Sequence, residues 1–382
     1  MIIILITISI YLILEIYIYF FLKKYSSIRW LITNKNTKFN YEKFYNFKKN
    51  IFNEKLGWDY KYFKKKRNFI TKKGFKKSNY SKRKNDILAF GDSYTFCRQV
   101  ENNKTWEEII SKKKNTFIAN YGVGNYGLDQ AFLKFKLVRK KRENKIIIFG
   151  FVPETICRIQ SSWKNYLEFG NIHGFKPSVK LKNNSLKFNN NFLKKKFNHS
   201  QLNKLIDKIK IEDRFYKEKF LKYSFSFPFV LSFFKNLFFN LEIFKKILFS
   251  KEKKFSLIEE EIFPIVMKYN IKLSHKLYNE DYSKKLMLKL LTHITSELRK
   301  QKLECYFVIF PQLFDLKLKT RKNYQNFFKK IKSQNLIDLT SNFLKQKNIS
   351  NLYTNDKYGG HLSNKGNNFV ATELIKIIFK NN

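Results

Sequence analysis

The run NDILAFGDSYTFCRQV (85–100) sets a serine two residues beyond a short apolar stretch that ends in glycine. A hydroxyl delivered there can attack a carbonyl carbon, provided an imidazole takes its proton. Ser93 also has a plainer reading, since serine after a strand commonly caps a helix. The run YTNDKYGGHLSNKGN (353–367) supplies the imidazole: His361 lies in a loop after an apolar stretch and just before a helical one. Ser363 is placed to cap that helix. The other histidines fit less well. His275 and His293 fall within helical patterns, and His173 and His199 in an irregular stretch, so core or surface positions are expected for them. Cys97, Cys157 and Cys305 are too few and too widely spaced for a disulfide framework or a zinc cluster. Cys97 lies close to Ser93, but no positioned base marks it as a nucleophile.

Both loops need a scaffold. ILAFG (87–91), TFIAN (116–120), KIIIFGFV (145–152), ECYFVIFP (304–311) and NLIDLT (335–340) read as strands. The third is continuously apolar, as expected for a strand covered on both faces. Helical spacing falls between them at 104–114, 128–141, 281–300 and 324–333, and after them at 363–379. Strands alternating with helices predict an α/β fold, a three-layer α/β/α domain around a mostly parallel five-stranded sheet. Ligands bind such sheets beyond the carboxyl ends of the strands, which is where Ser93 and His361 would both lie.

The alternation breaks at about 160–275, within one domain running from 85 to 382. The stretch SFSFPFVLSFFKNLFFNLEIFKKILF (224–249) is heavily aromatic and broken by Pro228. Lys235 and Glu242 interrupt it as a membrane span, so helices packed on the core or lying at a membrane interface are expected. Residues 2–22 are apolar except for Glu15 and long enough to cross a bilayer, which predicts an uncleaved anchor over 1–24. From 25 to 84 no period emerges among the lysines, so a basic stalk or extension is expected.

The formal charge is +47, from 77 basic and 30 acidic residues. Nucleic acid would be a natural partner for such a charge. The basic residues are 67 Lys and 10 Arg, however, scattered through every segment among Asn, Ile, Phe and Tyr. These are the residues of A/T-rich codons, and base composition accounts for much of the excess. Nucleic-acid binding is therefore not the expected role. Anionic glycan or lipid surfaces remain compatible neighbours.

Four stretches together resemble the SGNH/GDSL superfamily of serine hydrolases and acyltransferases: FGDSYTFCRQVENNKTW (90–106), NYGVGNYGLDQ (120–130), IIIFGFVPETICR (146–158) and GGHLSNKGNNFVA (359–371). They look like its bacterial, membrane-anchored branch found with surface-polysaccharide genes. The likeness covers 86–160 and 280–380. It implies Ser93 as nucleophile, with its own N–H as one oxyanion donor, and His361 as general base. A second backbone donor would come from Gly124, Asn125 or Gly127. Two departures stand out. The family's third block carries an oxyanion-donating asparagine, whereas the stretch from Gly150 reads GFVPE. Glu154 cannot replace it, because a carboxylate repels an oxyanion. The family's acid lies two or three residues before the histidine. Here those positions are Tyr358 and Gly359, and Asp356, five residues back, is the nearest carboxylate to orient His361.

Lesser assignments follow from position. Glu154 and Arg158 lie beyond the third strand, either as binders of a sugar or carboxylate, or as an ion pair within the fold. Asp92 is expected to hold the turn, and Asn367 the histidine loop. The resemblance implies an esterase or O-acyltransferase acting on an acylated carbohydrate, which demands no metal or organic cofactor. A glycan-binding or polysaccharide-assembly protein on a degenerate fold of this kind is the alternative. The resemblance also implies a periplasmic body, whereas Lys23 and Lys24 beside the anchor favour the cytoplasmic side.

Overall fold

The computed structural model describes residues 1–25, 44–46, 51–61, 70–83, 87–139, 145–168, 174–194, 199–250, 255–331, 335–356 and 358–379. The chain begins with helix α1 (Ile2–Lys24), then β1 (Ile87–Gly91), α2 (Trp106–Lys113), β2 (Ile118–Asn120), α3 (Leu128–Val138) and β3 (Ile146–Phe151). Three helices of the insertion follow: α4 (Phe229–Lys235), α5 (Leu237–Leu248) and α6 (Phe255–Leu277). The scaffold resumes with α7 (Asp281–Arg299), β4 (Glu304–Ile309), α8 (Lys322–Lys329), β5 (Asn335–Asp338) and α9 (Asn364–Ile378).

The five strands form one sheet in the order β2-β1-β3-β4-β5, with every neighbouring pair parallel. Period-two alternation splits their side chains between two cores. Leu88, Phe90, Ile147, Phe149 and Phe307 face the first, where α3 and α7 bring Phe132, Phe135, Leu290 and Ile294. Ile87, Ala89, Ile148 and Val308 face the second, where α2 and α9 bring Trp106, Ile110, Val370 and Leu374. The three-layer α/β/α expectation holds. The strand order reverses beside β1, so the crevice beyond its carboxyl end is the natural place for a ligand.

Gly91 ends β1 opposite Gly150 of β3. A methyl group on Gly91 would fall on the Gly150 carbonyl oxygen and on Thr95 Oγ1. The β3 backbone cannot recede without loosening its pairing with β4. Gly91→Ala is therefore expected to cost about 2–3 kcal/mol, read as a lower urea midpoint at an unchanged m-value.

Within the stretch 25–84, read as a stalk or extension, the described parts pack on the domain. Phe44, Leu56, Trp58 and Phe75 are buried. Trp58 Nε1 donates to the Gly124 carbonyl at 3.0 Å, and Tyr126 Oη donates to the Trp58 carbonyl at 2.5 Å. Lys76 Nζ donates to the carbonyls of Phe96 and Cys97 at 2.9 and 3.3 Å. This segment thus pads the loops beside Ser93. Its buried aromatics lie singly among lysines, which is why no period announced them.

The insertion is not wholly helical. Ser178–Lys182 and Ser185–Asn189 form an antiparallel hairpin, closed by Asn183 and Asn184 at φ of 47° and 61°. Asparagine tolerates the left-handed backbone that a tight hairpin turn requires. Farther on, α4, α5 and α6 pack against the end of α1, with Ile18, Phe21 and Leu22 meeting Phe239, Ile243, Phe244 and Ile262. Helix α1 is long and apolar enough to cross a membrane, and only 11% of its most apolar window is buried.

Candidate active site

Ser93 opens the helical turn Ser93–Phe96, and its cap is the residue before it. Asp92 Oδ1 accepts the Tyr94 N–H at 2.9 Å, while Oδ2 accepts the Val152 N–H at 3.0 Å. The cap role therefore belongs to Asp92, and the Ser93 hydroxyl is left for another partner. That partner is His361, whose Nε2 lies 2.9 Å from Ser93 Oγ across 268 residues of sequence.

The other ring nitrogen, Nδ1, lies 2.8 Å from Asp356 Oδ2. An ionised carboxylate only accepts, so Nδ1 carries the proton and Nε2 is left as the acceptor for the serine hydroxyl. Gly359 and Gly360 adopt φ of 89° and 92°, a left-handed bend that folds the loop back on itself. Lys357, inside that loop, lies outside the described residues. Asp356 Oδ1 accepts the N–H groups of Tyr358 and Gly360 at 2.9 and 3.2 Å. Its Oδ2 also takes the His361 N–H at 3.0 Å and the Thr354 hydroxyl at 2.9 Å.

Burial works to raise the Asp356 carboxyl, but the hydrogen bond and charge of His361 outweigh it and hold the group well below the usual carboxylate range. Asp356 therefore stays ionised through weak acid. Its contribution to stability is full above the unfolded value of about 3.9 and is lost only as pH falls from there through the lower folded value.

Several groups that steady this arrangement carried no signal in the sequence. Tyr94 Oη donates to the Gly360 carbonyl at 2.7 Å, and its ring lies 5.2 Å from the His361 ring. Asn367 behaves as expected for a brace. Its Oδ1 accepts the Trp106 N–H at 3.1 Å, and its Nδ2 donates to the carbonyls of Leu362 and Ser363 at 3.3 and 3.0 Å. It thus ties the nucleophile side to the histidine loop. The αL position of Cys97 one turn after Ser93 is a further local feature, and its thiol donates to Asn367 Oδ1 at 3.2 Å.

The candidate oxyanion donors separate. Gly127 N–H donates to Gln130 Oε1 at 3.2 Å at the start of α3. Gly124 N–H donates to the Tyr60 hydroxyl at 3.3 Å. Asn125 takes φ of 68°, and its side-chain oxygen accepts from Lys164 Nζ. The N–H groups of Gly124 and Gly127 are thus both engaged in this structure, and Tyr60 is a polar neighbour that sequence reasoning missed.

Glu154 and Arg158 take the ion-pair alternative, which corrects their assignment to substrate. Arg158 bridges Asp92 Oδ2 at 3.2 Å and Glu154 Oε2 at 2.7 Å, and all three side chains are buried. Burial pushes both carboxyls up, and the guanidinium opposes that rise. Arg158→Ala would strand two buried carboxylates beneath the Ser93 turn. The expected loss is about 3–5 kcal/mol of stability, followed by chemical denaturation. A substrate-binding arginine would instead raise KM and leave the unfolding midpoint in place.

His275 and His293 have partners away from the site. His275 is buried, with Nε2 2.7 Å from Asp315 Oδ1 and Nδ1 2.8 Å from Thr320 Oγ1. His293 packs between the rings of Phe132 and Phe188, each 5.6 Å away. His199 begins the helix His199–Glu212, and His173 lies outside the described residues.

No protein-family model matches this chain, and no curated protein matches it. Solved structures show a distant likeness. A member of the lipolytic protein G-D-S-L family from Veillonella parvula is 11% identical, with a TM-score of 0.37, over 78% of this chain and 99% of its own. A protein from Lactobacillus plantarum is 8% identical, with a TM-score of 0.36, over 78% and 99% of the two chains.

Proposed function

We propose that the protein is a serine esterase or O-acyltransferase acting on an acylated carbohydrate. The observation that carries this reading is the unbroken relay from Asp356 through His361 to Ser93, with separations of 2.8 and 2.9 Å. Those are hydrogen-bond distances suited to proton transfer.

In the proposed reaction Ser93 Oγ bonds to the acyl carbonyl carbon as its proton passes to His361 Nε2. The carbonyl electrons move onto oxygen, where the N–H groups of Ser93 and of Gly124, Asn125 or Gly127 would meet the charge. Donors of this kind act chiefly on the transition state, because the charge exists only there. As the tetrahedral species collapses, the ester C–O bond breaks and Nε2–H protonates the departing alcohol. Water or a sugar hydroxyl then gives its proton to Nε2, attacks the acyl-serine and restores the serine hydroxyl. Asp356 stabilises the imidazolium in both halves. The acylated carbohydrate rests on the family resemblance, while the serine chemistry rests on the relay.

The test is a fluorophosphonate probe on the full-length protein in detergent, with the adduct located by mass spectrometry. Labelling at Ser93, lost in Ser93→Ala and reduced in His361→Ala, is the expected result. A folded protein whose Ser93 stays unlabelled would sink the enzyme reading and favour the glycan-binding one.

A further inference from the structure

We propose that the α4–α5 unit of the insertion is itself embedded in the bilayer beside α1, with lipid acyl chains as its partner. The argument begins with length. From residue 2 to residue 14 every side chain of α1 is at least partly exposed, and Glu15 is the first buried one. Thirteen residues of helix span about 20 Å at 1.5 Å per residue, against a hydrocarbon core of about 30 Å. If α1 crosses a bilayer, the remaining 10 Å or so must come from about the next eight residues, 15–22. Those are the residues against which the insertion packs, through Ile18, Phe21 and Leu22. Lipid that covers this part of α1 must therefore also touch α4 and α5.

The surface offered there is apolar. Phe227, Leu231, Phe234, Phe238, Leu248 and Phe249 are 53–77% exposed, and most side chains of α1 before Glu15 are likewise exposed. A patch of large side chains on this scale is seldom left in water. Glu15, the one charge of the span, is met from the same unit. Its two carboxylate oxygens accept the N–H groups of Phe229 and Val230 at 2.7 and 3.0 Å. A buried carboxylate and two otherwise unpaired donors at a helix start are thereby satisfied together, as a low-dielectric setting demands.

The charges of the unit set its depth. Lys235, Lys245 and Lys246 are exposed and Glu242 is held by Lys268 at 2.8 Å, so the unit is placed at the boundary and is not a second span. Long lysine side chains at that level reach the headgroups. The Ile18, Phe21 and Leu22 contacts also make α1 a part of the fold, as a cleaved leader would not be.

The test places a nitroxide on single cysteines introduced at Leu231, Phe234 and Phe238 of the full-length protein in phosphatidylcholine–phosphatidylglycerol vesicles. Cys97, Cys157 and Cys305 are buried, which leaves the introduced thiols as the reactive ones. Leu12→Cys on α1 marks lipid, and Ile211→Cys, at a position 82% exposed in the helix His199–Glu212, marks water. The expected result is protection from an aqueous nickel chelate, and collision with oxygen, close to those at Leu12. Chelate access equal to that at Ile211 would overturn the proposal. So would spin–spin broadening at the three sites, since it would show a second copy of the chain covering the face. The readout does not depend on Ser93 chemistry.

Discussion

Ser93→Ala and His361→Ala are each expected to lower acyl transfer on the order of 10⁶-fold, with the double variant scarcely worse than either one. The near-identity of the three losses carries the meaning. A serine without its base is a poor nucleophile at neutral pH, and a base without its serine has nothing to activate. Groups that work as one unit therefore lose their whole effect when either is removed. Single-turnover assays with an activated ester on the three variants would measure this. Two losses that multiply in the double variant would show independent roles and break the relay. Stability should change little in Ser93→Ala, whose side chain belongs to neither apolar core, and more in His361→Ala, which takes a hydrogen-bond partner from Asp356. A folded Ser93→Ala protein with full activity would return Ser93 to the bland role of a turn residue after β1.

Asp356→Asn is expected to cost up to about 10⁴-fold in kcat with KM nearly unchanged, as when an asparagine replaces the buried acid of a serine-protease triad. The carboxylate does two things that an amide cannot. It accepts Nδ1–H, which keeps Nε2 free to take the serine proton, and it stabilises the imidazolium formed in the transition state. An asparagine can turn its NH₂ toward Nδ1 and hold the wrong tautomer. The same residue also accepts the backbone N–H groups of Tyr358, Gly360 and His361, so an alanine there would undo the loop as well. Asparagine keeps an acceptor for part of that set, which makes it the cleaner variant. A folded Asp356→Asn protein with unchanged kcat would leave a two-residue serine–histidine device and remove the acid.

The relay and its scaffold were legible for related reasons. The five strands are short apolar runs that end in Gly, Asp or Asn or run into a proline, and the helices between them keep a regular apolar spacing. Ser93 directly follows one such run, whereas His361 lies 23 residues beyond the end of β5, after the helix Thr340–Leu344 and the turn Ile349–Leu352, so its arrival at the same sheet end depended on that longer connection. Asp356 was reachable because Gly359 and Gly360 allow the loop to fold back. Other features depended on burial, which no local pattern states. Glu154 and Arg158 four residues apart read equally as ligand binders or as a pair, and only the seat of Asp92 beneath them decides. Tyr94 acts through a hydrogen bond to a loop 266 residues away, and Thr354 through bonds to Asp356 and His361 inside its own irregular loop. The padding from Leu56, Trp58 and Lys76 lacked any period, since each contact is made by one side chain on an irregular backbone. The hairpin at 178–189 did carry a signal, the Asn183–Asn184 pair between alternating stretches, and it was overlooked amid the aromatic residues around it.

The 268 residues between Ser93 and His361 also set an order in time. A ribosome adding roughly 5–20 residues per second finishes the nucleophile's turn well before the base exists. For about 13–54 s at that pace, the growing chain carries a serine with nothing to take its proton. The anchor and β1 precede that interval and β2 to β5 are made within it, so the whole sheet exists before the histidine loop is available to dock. On the proposed reading the growing chain is thus inert until α9, by bringing Asn367 against Trp106, completes the relay.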